Sequence, residues 1–323
     1  MKIIALEEHV TTPLYDELNP ATPRRKHSLV DRASRVGHDV AAELLNMSNS
    51  RIAAMDAAGI DLQVLSLTMP GPQGLAPALA IKVARDANDN MAAAMRNHPG
   101  RFAAFAALPT PDVPAAVKEL ERTIKDRGFK GAMINGHSNG EFLDDQKFWP
   151  IFEAAQALGV PIYLHPRDPH PAAKAYFTGY EEISTAAWGF TMDTVAHFFR
   201  LIFAGLFDTF PRLTFILGHL GEGIPFFLDR AEDHTALALE RRGRKKTIAQ
   251  VMRENVVVTT SGNFSAAAFK CTRDVLGIDR ILFSVDWPYE SNQLGVDFLN
   301  HLSLSPAEKA LVAHGNAERV LKL

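Results

Sequence analysis

Eight short apolar runs, each followed by a segment with helical spacing, constrain this chain more than any other feature. They are Ile3–Leu6, Leu62–Leu67, Phe102–Ala107, Gly131–Ile134, Pro161–Leu164, Leu213–Leu217, Val256–Thr259 and Ile281–Val285. Most are continuous rather than alternating, the pattern of strands buried on both faces of a parallel sheet. The end signals between them agree with helices. Ala78–Arg96 carries Leu79, Val83, Ala87, Met91 and Met95 at helical spacing and stops at Pro99-Gly100. Asp112 precedes Val113-Pro114 as an N-cap, Gly128 closes that helix, and Lys147–Leu158 ends at Gly159. Eight β–α units in 323 residues predict an α/β fold, a single-domain (β/α)8 TIM-like barrel over residues 1–323, in preference to two doubly wound sheets. A dinucleotide-binding loop is excluded, because the glycine spacing of Gly218-His219-Leu220-Gly221-Glu222-Gly223 does not match GxGxxG.

Two long connections leave C-terminal strand ends, Val10–Ser50 after strand one and Pro166–Phe190 after strand five, and are expected to form lid loops. The basic runs Arg24-Arg25-Lys26 and Arg241–Lys246 read as solvated surface. A formal charge of −3 gives no bulk attraction to nucleic acid or an anionic membrane. Cys271 is the single cysteine, which excludes an intramolecular disulfide and a cysteine-rich zinc site. The apolar run in MKIIALEEHV is too short for a signal peptide, and no stretch approaches the length of a membrane span, so a soluble cytoplasmic protein is expected.

Ionisable residues gather at strand ends. Glu7 and His9 close strand one and, two residues apart, point to one side of it; His165 closes strand five, His219 strand six and Asp286 strand eight. In a barrel these ends ring one mouth, and two carboxylates with neutral imidazoles suit a divalent cation such as Zn²⁺ or Mn²⁺. Taken singly, each residue has a plainer reading. A lone strand-end histidine is more often a hydrogen-bonded structural group, Asp286 alone fits a helix N-cap, and Glu7 or Glu8 fits a solvated surface. The joint placement favours the metal. His98, His234, His301 and His314 lie in or beside helices and read as surface or packing residues, and His197 as structural. His137 and His170 fall in loops after strands four and five, where a solvent-facing role is favoured.

The motifs Ala5-Leu6-Glu7-Glu8-His9, Leu164-His165-Pro166-Arg167, Gly218-His219-Leu220-Gly221-Glu222, Thr259-Thr260-Ser261-Gly262-Asn263-Phe264 and Gly315-Asn316-Ala317-Glu318-Arg319 span nearly the whole chain. Through them the sequence resembles the amidohydrolase superfamily, in the branch related to 2-amino-3-carboxymuconate-6-semialdehyde decarboxylase. Within that branch it is nearest to the γ-resorcylate (2,6-dihydroxybenzoate) decarboxylases, whose pattern has histidine at the position of His9. The resemblance implies a mononuclear site with Glu7, His9, His165 and Asp286 as ligands to Mn²⁺ or Zn²⁺, and no organic cofactor. It implies that His219 and Glu222 work beside the metal and that Asn135, Phe190 and Arg230 face a small aromatic carboxylic acid. Asp286 is the expected proton donor, and hydrolysis of an ester, lactone or amide is the alternative activity. The resemblance also implies a homodimer or homotetramer, with Tyr289 at a neighbour's active site. The Val10–Ser50 segment departs from the γ-resorcylate pattern, as do Tyr289, where phenylalanine is expected, and Asp229, where tryptophan is expected.

Overall fold

A computed structural model describes residues 1–19 and 23–323, the side chains of 23–28 excepted; the basic run Arg24-Arg25-Lys26 therefore lies outside the described residues. Among the described residues nine strands form, in chain order: β1 (Ile4–Val10), β2 (Leu62–Leu67), β3 (Phe102–Ala104), β4 (Ala106–Ala107), β5 (Ala132–Asn135), β6 (Ile162–His165), β7 (Phe215–Leu217), β8 (Val256–Thr259) and β9 (Ile281–Leu282). Every pairing is parallel, in one sheet ordered β1-β2-β3 and a second ordered β4 to β9. The run expected as one strand at Phe102–Ala107 is thus divided at Phe105. Phe105 N–H donates back to Leu65 O on β2 at 2.9 Å, while Ala106 N–H donates forward to Gly131 O at 2.9 Å.

Alternate side chains serve two cores. Ile4, Leu6, Val64, Ala103, Phe105, Met133, Tyr163, Ile216, Val257 and Leu282, drawn from the strands of both sheets, form one buried cluster with Ala317 and Leu321 of the C-terminal helix Asn316–Leu321. Their strand neighbours, including Ala5, Leu65, Ala132, Leu164, Leu217 and Val258, pack outward against helices. Strands buried on both faces in this way explain the near-continuous apolar runs. The helix Pro77–Asn97 buries Val83, Ala87 and Met91 as the spacing predicts, but Ala80 and Ala84 complete its inner face and Leu79 is exposed.

Two connections differ from expectation. Val10–Ser50 is not an irregular loop where described: it carries the helices Pro13–Leu18, Pro23–Val36 and Val40–Leu44 and the start of Asn49–Ala58. The local chemistry is that of Asp112: the Thr12 hydroxyl accepts from Tyr15 N–H at 3.2 Å ahead of Pro13, and Asp39 accepts from the Ala41 and Ala42 amides. Pro13–Leu18 and Val40–Leu44, of six and five residues, are too short for apolar periodicity to declare them. Pro166–Phe190 contains two 3₁₀ turns, Pro171–Phe177 and Glu181–Ser184. The second basic run is partly structural, since Arg244 Nη1 donates to Ala204 O at 2.9 Å and Lys246 Nζ to Asn255 Oδ1 at 2.7 Å. No described helix is long and apolar enough to cross a membrane.

Candidate metal centre

β1 does not keep a simple alternation. Its register against β2 shifts by one residue between Ala5 and Glu8, so Leu6 joins the inner cluster while Glu7 and His9 face the centre beyond it. A bulge of this kind re-aims the side chains that follow it. The turn after β7 is equally specific. His219, Leu220, Gly221 and Glu222 all have positive φ, and Asp286 has φ +78°, conformations that cost non-glycine residues about 1–3 kcal/mol each. Gly218 is required by contact: a Cβ there would lie 2.9 Å from Glu7 Oε2.

The expected residues converge. Glu7 Oε1 lies 3.0 Å from His165 Nε2, 3.5 Å from His219 Nε2 and 3.8 Å from His9 Nε2. Asp286 presents Oδ1 to His9 Nε2 at 3.2 Å and Oδ2 to His219 Nε2 at 3.9 Å. Among the described residues two sets bring donor atoms within 4.8 Å of one another, Glu7–His9–His165 and Glu7–His219–Asp286. Glu7 Oε1 and His9 Nε2 are buried, yet neither makes a hydrogen bond of proper geometry. Unpartnered buried polar atoms are costly, and facing each other across a few ångströms they suit a small hard-to-borderline cation.

The other carboxylate oxygen of Glu7 is fully used. Ser261 Oγ donates to Oε2 at 2.5 Å, Tyr163 OH also donates to it, and Thr259 Oγ1 is hydrogen-bonded to both hydroxyls at 2.8 Å. Sequence reasoning missed this hydroxyl shell. Tyr163 sits two residues before His165 on one strand, which was a legible signal for a shared face. Ser66 Oγ meets His9 Nδ1 at 3.3 Å, while His219 Nδ1 pairs with Glu222 Oε1 at 2.6 Å and Thr191 Oγ1 donates to Glu222 Oε2 at 2.8 Å.

The electrostatics match the geometry. Burial alone would raise Glu7, but the His219, His165 and His9 imidazoles outweigh it and hold the carboxyl well below its usual range. Burial would lower His9, yet Asp286 and Glu7 lift it to about 9. His219 is likewise raised despite burial, by Glu222, Glu7 and Asp286. Burial would raise Asp286, but the facing His219 and His9 imidazoles leave it below its usual value. The carboxylates demand positive charge between them, which protons on imidazole or one divalent cation supply.

The plainer single-residue alternatives fail, and the expectations for His137 and Tyr289 need correction. Glu7 and Glu8 are both fully buried rather than solvated. Burial pushes the Glu8 carboxyl up to about 7 against the pull of the Val285 N–H and Arg51. Asp286 is not an N-cap, because the following helix Asn292–His301 has Ser291 at that position. His137 is buried, its Nδ1 accepting from Gly140 N–H at 3.1 Å and its ring 5.3 Å from His170. Tyr289 lies against its own chain's cluster: its ring stands 5.7 Å from His9 and its hydroxyl 2.7 Å from Thr68 Oγ1.

Of the other expected contacts, Asn135 ends β5, buried, with Oδ1 unpartnered. Phe190 is half-buried at the start of the helix Gly189–Ala204. Arg230 is exposed on the helix Ile224–Arg241 and makes no hydrogen bond or ion pair with any described residue.

His197 is structural, as expected. It is fully buried, its Nε2 accepts from Leu143 N–H at 2.9 Å, and burial depresses its pKa to about 3. Because the folded value lies below the unfolded one, the stability it contributes is present above pH ~6.5 and is lost as pH falls toward 3. Wild-type stability therefore falls between pH 7 and 5 by about 2 kcal/mol through this residue alone. His197→Gln, which keeps an acceptor for Leu143, is expected to lose that share of the slope, as urea unfolding at the two pH values will read.

An amidohydrolase family model matches residues 37–323. A γ-resorcylate decarboxylase of Polaromonas sp. is 37% identical over 333 residues, covering 99% of this chain and 98% of that protein. Crystallographic 2,6-dihydroxybenzoate decarboxylase in complex with 2,6-dihydroxybenzoate superposes with a TM-score of 0.90 at 36% identity, covering 100% of both chains. A dihydroxybenzoic acid decarboxylase from Polaromonas sp., solved with manganese and the inhibitor 2-nitroresorcinol, gives 0.89 at 36% identity over 100% of this chain and 97% of that one.

Proposed function

The chain belongs to the amidohydrolase family, and on that premise we propose that it is a metal-dependent carboxy-lyase acting without oxidation on an ortho-hydroxybenzoate such as 2,6-dihydroxybenzoate. The observation that carries this reading is the convergence of Glu7, His9, His165, His219 and Asp286 in a chain alike over its full length to decarboxylases of that acid. One divalent ion, Mn²⁺ or Zn²⁺, fits Glu7, His9, His165 and Asp286, and manganese in a related structure favours the former. When bound, it would supply a Lewis acid to the anionic oxygens of the substrate.

The chain's own residues supply the rest. Removing CO₂ returns the electron pair of the breaking C–C bond to the ring, so the ring carbon must gain a proton. Asp286, ionised at rest, takes a proton from the His219 imidazolium, 3.9 Å from its Oδ2, and passes it to the ring carbon. Glu222 fixes the His219 ring through Nδ1, while Thr191 holds Glu222. Asn135, Phe190 and Tyr289 face the ring, and Arg230 pairs with an anionic oxygen. The substrate's hydroxyl takes up the ring charge, so no organic cofactor is needed.

Glu222→Gln is expected to lower kcat about 10–100-fold with metal content unchanged, because the amide no longer holds the His219 tautomer. Metal analysis beside steady-state kinetics checks this. A panel of hydroxybenzoates scored for CO₂ tests the whole reading, and a panel of esters, lactones and amides tests the hydrolytic alternative.

We also read the two sheets as one closed eight-stranded (β/α)8 barrel, with residues 1–323 as one domain. His9 N–H donates to Trp287 O at 2.6 Å, and Glu7 N–H to Ser284 Oγ at 2.6 Å, which supports joining the last strand to the first. The 3₁₀ segment after β6 serves as the cover of the mouth. A homodimer or homotetramer fits the exposed Tyr176, Tyr180, Trp188 and Phe226. Trp287 is buried against His38, and Phe198 lies in the core, so neither is available to such an interface.

A further inference from the structure

Between Glu7 and His9 stands a buried carboxylate that the reaction as derived does not use. Glu8 accepts four hydrogen bonds, three from the last strand and the turn after it and one from β2. Oε1 accepts from Val285 N–H at 3.0 Å and Ser284 Oγ at 3.2 Å. Oε2 accepts from Trp287 N–H at 3.1 Å and Gln63 Nε2 at 3.4 Å. The two amides belong to the residues on either side of Asp286, whose backbone is held at φ +78°. Gln63 is itself fixed, because its Oε1 accepts from Arg51 Nε at 2.7 Å, and Arg51 Nη1 donates to His9 O at 3.0 Å. One buried network thus grips the backbone of Asp286 at one end and of His9 at the other.

We propose that Glu8, with Gln63 and Arg51 behind it, is a positioning residue that clamps the two amides flanking Asp286 and so sets where the Asp286 carboxylate stands relative to His9 and His219. The inference rests on the decarboxylase reading for its consequence in turnover, but not for its consequence in metal binding. The chemistry demands a carboxylate at this position. All four partners are donors, so a glutamine in either orientation sets its NH₂ against two of them. Released on one side, the Asp286 turn is free to relax from its left-handed conformation.

Glu8→Gln tests this, read first by calorimetric titration of the metal-free protein with Mn²⁺ and then by kinetics at saturating Mn²⁺. The variant is expected to bind Mn²⁺ about 10–100-fold more weakly and to lose kcat by a similar factor. KM is expected to stay within about threefold of wild type, since the change acts on the reacting geometry rather than on ground-state binding. A merely structural Glu8 gives a lowered melting temperature with Mn²⁺ affinity unchanged in the folded protein, and that result overturns the proposal. If Glu8→Gln does not fold, Gln63→Met decides. It removes one of the four donors and is expected to weaken Mn²⁺ binding in the same direction; affinity and kcat equal to wild type overturn the proposal. The Mn²⁺ titration needs no substrate, so wild-type protein that binds metal but releases no CO₂ refutes the decarboxylase reading and leaves the clamp testable.

Discussion

Asp286→Asn will fold and turn over hydroxybenzoate about 10²–10⁴-fold more slowly than wild type, the range expected when a positioned general acid is removed. Asparagine matches the carboxylate in shape and tolerates a left-handed backbone as well as aspartate does, so the turn at φ +78° is preserved. What it lacks is a transferable proton. Its carboxamide also presents only one oxygen where Asp286 faces His9 Nε2 with Oδ1 and His219 Nε2 with Oδ2. Metal analysis separates the two losses: a variant that retains its metal but not its turnover has lost the proton. Near-normal turnover with the metal retained would show that another group protonates the ring.

Chelation has the second large effect. Dialysis against a chelator will abolish turnover, and Mn²⁺ will restore it. The metal-free protein keeps a buried carboxylate oxygen, Glu7 Oε1, surrounded by three imidazoles with no hydrogen bond satisfied. A ligand that binds only the folded state at 100 times its Kd stabilises by about 2.7 kcal/mol, so the melting temperature will rise with Mn²⁺. Glu7→Gln removes this response. Its amide replaces a charge on which Tyr163 and Ser261 converge, and Mn²⁺ then restores neither the melting shift nor the activity. A Glu7→Gln protein that responds to Mn²⁺ like wild type would place the metal elsewhere.

Much of this was legible in the sequence because a buried parallel strand is a local pattern. Leu62–Leu67 and Val256–Thr259 are strands at the expected bounds, and Asp112, Gly128 and Gly159 end their helices as read. The convergence of Glu7, His9, His165, His219 and Asp286 followed from their strand-end positions. What stayed hidden depends on pairings across the chain. Ser261 and Tyr163 reach Glu7 from 254 and 156 residues away, and Glu8 meets Trp287 across 279. No spacing rule carries such contacts. The bulge in β1 was equally invisible, because it arises from pairing with β2 rather than from any residue in Leu6-Glu7. The burial of Glu8 was hidden for the same reason: its four donors belong to other elements. The helices of Val10–Ser50 are a different failure, since the caps Thr12-Pro13 and Asp39 stood in plain view but enclosed segments too short to show a period.

The most direct measurement of the central claim is the fate of 2,6-dihydroxybenzoate with Mn²⁺-loaded enzyme in D₂O, followed by CO₂ release and mass spectrometry of the phenolic product. The account requires CO₂ and 1,3-dihydroxybenzene in equal amounts, one deuterium on the carbon that carried the carboxylate, and no reaction after chelation. Unchanged acid, from metal-loaded protein that at the same time hydrolyses a lactone or an amide, would contradict it and make the site that of a hydrolase.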